Sequence, residues 1–336
     1  MTTADLRVLR ACVIGLGTMG RNHVRVWDTE IEGVDLVAVA DPDPVALRQA
    51  TDGRAVRGYL DPVAMLAAES PDLVSVVVPT SLHLSATLAA LAAGAHVLVE
   101  KPIAATRAEA EQMIAAAAMA GRLLSVGPIE RVNPAIRELQ RRLAAGELGR
   151  IFEIRATRLG PFPSRIRDVG VVVDLAPHDL DIMRYLLRSD PVRLFGETER
   201  RIHTDHEDIF VGLMKFANGA VGVLDINWLT PTKHRTLSVT GERGMFTADY
   251  IAQELVFWPN PDDSAVAEGQ PVPIAIERRE PLIVELEEFA RAVRDGGPPP
   301  VDPHEAMVAL LLARAMVESA QDSRVIDGAA LQAVLA

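Results

Sequence analysis

The chain has 336 residues, 49% hydrophobic and 24% charged, enough apolar material for two domains with cores of their own. A formal net charge of −12 argues against general affinity for nucleic acid or an anionic membrane surface. The single cysteine, Cys12, excludes an internal disulfide or a thiolate cluster and fits a reducing cytoplasm. No run approaches the roughly 18 apolar residues of a membrane span. Met1 to Arg10, broken by Asp5, Arg7 and Arg10, does not read as an export signal. The expectation is a cytoplasmic protein with neither nucleic-acid nor membrane partners.

Residues 8–14 predict a strand, followed at once by Gly15-Leu16-Gly17-Thr18-Met19-Gly20 and a helix through 21–28. A second strand over 34–40 ends at Asp41-Pro42-Asp43-Pro44, ahead of a helix over 45–52. A helix over 61–69 and a strand over 73–78 close at Pro79-Thr80; helix 82–93, with Gly94 as C-cap, leads to strand 95–99, helix 108–120 and strand 123–126. Strands alternating with helices predict a parallel, doubly wound sheet. Past Pro128 the pattern changes to helix 133–145, strand 151–158, helix 171–187 and strands 192–199, 209–216, 220–228, 235–240 and 244–249. Asn218-Gly219 is a hairpin signal, and strands in succession predict a largely antiparallel, open-faced sheet. Pro298-Pro299-Pro300 separates an amphipathic helix over 282–294 from a last one over 303–321. The fold class is α/β: a Rossmann domain over 1–128, an α+β domain for substrate and self-association over 129–300, and a C-terminal segment, 301–336.

The glycine turn follows a strand, opens a helix and is answered by an acid at the end of the next strand, which together specify a dinucleotide site. Gly15 permits the tight turn, Gly17 lets the backbone approach a pyrophosphate, Gly20 allows close helix–strand packing, and the helix amides face the anion. Asp41 suits both hydroxyls of the adenosine ribose and would oppose a 2′-phosphate, so NAD is favoured over NADP. Thr18, Met19, Pro79, Thr80, His83, Glu100 and Lys101 complete the candidate cofactor set, although His83 reads equally well as a packed residue.

Lys101, in Val99-Glu100-Lys101-Pro102, lies at the carboxyl end of a buried strand, where open α/β sheets bind ligands. Pro102 permits a cis bond. Asp174 and His178 are four apart on one helix face. A histidine can take an alcohol proton near neutral pH, a carboxylate can orient it, and a lysine can stabilise the alkoxide. Each residue has a plainer alternative: a surface lysine, or a helix pair satisfying itself. Alcohol oxidation by NAD needs these parts and no metal. His203-Thr204-Asp205-His206-Glu207-Asp208 lacks a metal-binding helical spacing and reads as a solvated connection. Trp228 is a candidate pocket wall.

In this combination and order the motifs resemble the Gfo/Idh/MocA family of sugar and cyclitol dehydrogenases: the glycine turn, Glu100-Lys101-Pro102, and Asp174-Leu175-Ala176-Pro177-His178. The resemblance implies Lys101, Asp174 and His178 as the catalytic set with His178 the general acid/base, a last helix that returns to the first domain, and a homodimer or homotetramer joined through the open sheet. Residues 127–134, 158–170 and 227–231 are similar to the branch containing UDP-N-acetylglucosamine 3-dehydrogenases, which implies oxidation at C3 of a nucleotide-linked sugar. Pro128 departs from the histidine of that branch. Arg131, Arg158, Arg165 and Arg167 suit a pyrophosphate in an otherwise acidic chain, or else pair with acids such as Glu130 and Asp168. A dehydrogenase of a free sugar, sugar phosphate or inositol, a ketosugar reductase, and a catalytically silent NAD-binding sensor are the rival readings.

Overall fold

The computed structural model describes residues 7–127, 129–163, 169–203, 205–261 and 269–335. The chain divides into two compact units, residues 1–129 with 280–307 and residues 130–279 with 308–336. Among the described residues no helix is long and apolar enough to cross a membrane.

The first unit holds β1 (Leu9–Ile14), β2 (Val34–Ala40), β3 (Arg57–Tyr59), β4 (Leu73–Val76), β5 (His96–Glu100) and β6 (Leu124–Gly127) in one sheet of order β3-β2-β1-β4-β5-β6. Every pairing is parallel, and the central strands β1, β4 and β5 are nearly continuous apolar runs, as burial on both faces calls for. The order reverses between β1 and β4, which makes the ends of those two strands the switch point where such sheets take ligands. Around the sheet run α1 (Thr18–Thr29), α2 (Pro44–Thr51), α3 (Pro62–Glu69), α4 (His83–Ala92) and α5 (Arg107–Ala120). Trp27 is buried in the core and its indole N–H donates to Ser75 Oγ at 2.8 Å.

The second unit is built on a nine-stranded sheet. Its strands are β7 (Ile151–Pro161), β8 (Pro191–Glu199), β9 (Ile209–Phe216), β10 (Val221–Asn227), β11 (Leu229–Gly241), β12 (Gly244–Asp249), β13 (Glu254–Pro259), β14 (Val272–Ile274) and β15 (Ile326–Asp327), in the order β14-β13-β12-β11-β7-β10-β9-β8-β15. β7 and β10 pair in parallel and the other neighbours antiparallel. Along β7 the buried positions Ile154, Ala156 and Arg158 alternate with more exposed ones, so Arg158 points into the core. Helices α6 (Pro134–Ala144) and α7 (Val171–Leu187) contribute Ile136, Leu139, Leu180 and Met183 to that core.

The C-terminal stretch departs from expectation. The segment that comes back to the first unit is 280–307, not 301–336. Its helix α8 (Pro281–Asp295) carries Leu282, Leu286 and Phe289 at one-face spacing, and these join Trp27 and Leu36 in the first core. Most of α9 (Pro303–Gln321) and all of α10 (Gly328–Leu335) fall in the second unit, where Leu312, Met316 and Leu331 pack with Phe210 and Phe246.

Candidate active site

In the first unit the turn after β1 is shaped by crowding on two sides and space on the third. Gly15 has φ +95°, and a Cβ on it would sit 2.2 Å from the Val77 carbonyl oxygen. A Cβ on Gly20 would sit 2.0 Å from the Gly15 carbonyl, so α1 closes directly onto the turn. At Gly17 an added Cβ would meet no atom within 4 Å, and this N-cap offers α1 no side-chain hydrogen bond. The first-turn amides thus face open space, the arrangement a pyrophosphate requires. Thr18 is exposed and Met19 half-buried at this turn. Asp41 follows β2; its Oδ2 accepts the Leu16 N–H at 2.7 Å and its Oδ1 the Asp43 N–H at 2.8 Å, which fixes the carboxylate beside the turn. Pro79 is exposed and Thr80 half-buried past the end of β4. These residues fit a dinucleotide.

Lys101 is half-buried immediately after β5, and its bond to Pro102 is cis. Two residues expected beside the cofactor turn out to brace this segment from below. Glu100 is 8% exposed; its Oε1 lies 3.0 Å from His23 Nε2 and its Oε2 accepts the Lys101 N–H at 3.3 Å. Burial pushes the Glu100 carboxyl up, but His23 and then Lys101 outweigh it and hold it below the ordinary value. His83 is 1% exposed, with Nδ1 2.9 Å from the Pro102 carbonyl and Nε2 2.9 Å from the Val78 carbonyl. Both ring nitrogens face backbone carbonyls, so His83 sits between the segment after β4 and the lysine segment instead of facing a ligand.

In the second unit α7 runs unbroken through Pro177 and carries Asp174 and His178. The carboxylate on His178 Nδ1 is that of Glu130, at 2.7 Å, not that of Asp174. Glu130 Oε1 accepts from Arg158 Nη1 at 3.0 Å, while Arg158 Nε and Nη2 donate to Asp179 at 2.8 and 3.0 Å. Arg158 is 2% exposed and lies over the Tyr250 ring. Burial disfavours its charge, but Asp179 and then Glu130 more than offset that and raise its pKa. Glu130 is held well below the carboxylate range: burial opposes ionisation, and His178 and Arg158 overcome it. Among the described residues His178 Nε2 makes no hydrogen bond.

This network removes Arg158 from any phosphate site, because the guanidinium is buried and each of its three nitrogens donates to a buried acid. Arg131 is likewise bound in a two-pronged pair to Asp181, both contacts 2.6 Å, and lies over Tyr185. Arg165 and Arg167 lie outside the described residues, as does Pro128. A different arginine emerges. Arg235 on β11 pairs in register with Arg158, so both side chains leave the sheet on the same face. Arg235 is half-buried and makes no hydrogen bond or ion pair among the described residues. Burial, and then Arg158, lowers its pKa, with Glu130, Asp179 and Asp174 near enough to counter this.

Trp228 is 3% exposed and belongs to the core, edge-on to Phe162 at 5.6 Å and stacked with His203 at 6.4 Å. It is no pocket wall. His203 is correspondingly buried, not solvated, and its loop is tied by Asp208 Oδ2, which accepts the N–H groups of Arg201, Ile202 and His203. Asp179, Arg235 and His23 escape sequence reasoning, which finds Glu130 only as an acid for the arginines to pair with, as Arg158 does, and not as the partner of His178. One signal for Arg158 was available: in phase with Ile154 and Ala156 on a strand, a core-facing arginine requires buried carboxylates.

Residues 9–128 match a family model described as an oxidoreductase family with an NAD-binding Rossmann fold, and residues 136–247 match the Gfo/Idh/MocA C-terminal domain. D-apiose dehydrogenase of Paraburkholderia graminis is 30% identical over 99% of this chain and 93% of its own length. The chain belongs to the Gfo/Idh/MocA family. As a member of this family it is an NAD-dependent dehydrogenase acting on CH–OH groups. UDP-N-acetylglucosamine 3-dehydrogenase of Acidithiobacillus ferrooxidans is 29% identical over 85% of this chain and 88% of that protein. A solved structure of that name and organism aligns with TM-score 0.85 and 26% identity, covering 94% of this chain and 98% of that one. Myo-inositol 2-dehydrogenase of Thermotoga maritima is 26% identical over 94% of this chain and 97% of its own.

Proposed function

We propose that this chain oxidises a secondary hydroxyl of a sugar nucleotide, C3 of a UDP-amino sugar such as UDP-N-acetylglucosamine, to a ketone. The observation that carries the reading is a histidine whose Nδ1 is already spent on a buried carboxylate, in a chain that also holds the dinucleotide turn. His178 takes the hydroxyl proton at Nε2, and Lys101 stabilises the negative charge that develops on the oxygen. Asp174 hydrogen-bonds the sugar. Gly15, Gly17, Gly20 and the first-turn amides of α1 hold the pyrophosphate of NAD and Asp41 the ribose diol; bound NAD supplies the hydride acceptor. Arg235 takes the place of Arg158 as the cation for an anionic part of the substrate. The likeness to UDP-N-acetylglucosamine 3-dehydrogenase in sequence and in structure supports the nucleotide sugar.

A free-sugar dehydrogenase is the second reading, favoured by the 30% identity to D-apiose dehydrogenase along almost the whole chain. The deciding experiment follows nicotinamide absorbance with UDP-N-acetylglucosamine, N-acetylglucosamine 1-phosphate, N-acetylglucosamine and a free pentose. The nucleotide sugar should have the highest kcat/KM; equal or better turnover of a free sugar defeats the first reading and leaves the second. We further propose that the chain is a homodimer or homotetramer through the open face of the nine-stranded sheet, where Val211 and Leu213 are 47% and 50% exposed. Light scattering after size exclusion tests this, and a monomer overturns it.

A further inference from the structure

Glu130 lies in a short turn after β6 and is 5% exposed, between one partner that can only donate and another that can do either. The first is Arg158, whose Nη1 donates to Oε1 and whose Nε and Nη2 donate to Asp179. A guanidinium has no acceptor. The second is His178, whose Nδ1 is 2.7 Å from Oε2. An ionised carboxylate has no proton to give, so the proton in this contact belongs to Nδ1 and the lone pair of the neutral ring falls on Nε2.

We propose that Glu130, clamped by Arg158, is the positioning residue that sets the tautomer of His178 and so makes Nε2 the base, a task that Asp174 does not perform. This rests on the reading of His178 as the base. The consequence is sharpest for Glu130→Gln, which is nearly isosteric. The amide has one acceptor oxygen and one donor group. Arg158 accepts only the oxygen as a neighbour, so the amide NH₂ turns to His178 and Nδ1 must become the acceptor. The ring proton then moves to Nε2, where it blocks uptake of the substrate's hydroxyl proton.

The test is nitrogen NMR of protein labelled in its histidines, with the His178 signals assigned by their loss in His178→Ala. In spectra taken at a pH where the ring is neutral, wild-type His178 should have Nδ1 protonated and Nε2 bare; Glu130→Gln should show the reverse. Asp174→Asn should leave the wild-type tautomer in place. Turnover in Glu130→Gln should fall by about 10²–10⁴-fold, comparable with a misdirected histidine in a hydrolase triad, with binding of NAD retained. Glu130→Asp, which keeps the charge, should recover part of that loss. A wild-type spectrum with Nε2 protonated overturns the proposal, even if Glu130→Gln fails to fold. So does near-normal turnover in a folded Glu130→Gln. Full activity in His178→Ala would defeat the base reading separately, leaving the tautomer measurement to stand on its own.

Discussion

The two units hold their functional groups by opposite means. In the first, the ligand-facing parts are largely backbone: glycine positions without a Cβ, uncapped helix amides, and an aspartate fixed by two main-chain N–H groups. In the second, a single histidine rests on three buried charges, Glu130, Arg158 and Asp179, none of which faces solvent. A backbone site is tolerant of its surroundings as long as the glycines stay. A buried charge network has no such tolerance, because each member left without its partner is a desolvated ion. The first unit should therefore fail locally when changed, and the second as a whole.

The largest effects should come from the groups proposed to touch the reacting oxygen. His178→Ala and Lys101→Ala are each expected to lower kcat by about 10²–10⁴-fold while NAD still binds, as read by steady-state kinetics beside a fluorescence titration. Near-normal rates in either variant would remove that residue from the chemistry. Next, Arg158→Ala should cost about 3–5 kcal/mol of stability, since it strands Glu130 and Asp179 without their cation. Urea unfolding measures this, and a variant as stable as wild type would show that the network is not what holds α7 to the sheet.

Arg235→Ala makes the contrast with its register partner. It should leave stability near wild type and raise KM for the nucleotide sugar by roughly 10- to 150-fold, the equivalent of one hydrogen bond to a charged group worth about 1.5–3 kcal/mol. If KM is unmoved, Arg235 does not meet the substrate. Asp41→Ala should narrow the preference for NAD over NADP, measured as the ratio of the two kcat/KM values; an unchanged ratio would release Asp41 from the ribose.

The smallest effect is on acid stability. Glu130 and Glu100 both have folded-state values lowered from about 4.5, Glu130 the more so. A carboxylate lowered in this way stabilises the fold above its unfolded value, and that contribution is lost as pH falls through the lowered one. Stability should therefore decline below about pH 4.5, and Glu130→Gln should flatten the decline. An identical acid profile in wild type and variant would contradict the assignment.

The same contrast explains what the sequence disclosed. Backbone sites impose residue types at contiguous positions, so the glycine turn, Asp41 and the Glu100-Lys101-Pro102 segment stood out and proved to lie at the carboxyl ends of β1, β2 and β5. The charge network joins residues 21, 28 and 48 positions apart, and no local pattern announces such pairs. Asp174 was favoured as the partner of His178 because helix spacing can be read locally, whereas Glu130 lies 48 residues away in the turn after β6. Alternation and helical periodicity gave most elements within a few residues. They missed β3, β13, β14, β15 and α10, of which β3, β14 and β15 are only two or three residues long. They also could not tell which core would receive the last helices, since α8 and α9 are both amphipathic or apolar and the choice lies in the shape of the partner surface.

The return of α8 to the first unit has a consequence for the order of synthesis. Trp27 and Leu36 are on the ribosome long before Leu286 and Phe289, which complete their core. Residues 130–279, which make up most of the second unit, emerge in the interval, about 8–30 s at a translation rate of 5–20 residues per second. The nascent first core thus lacks Leu282, Leu286 and Phe289 while most of the second unit is being made. Translation must reach past residue 289 before the cofactor-binding half is whole.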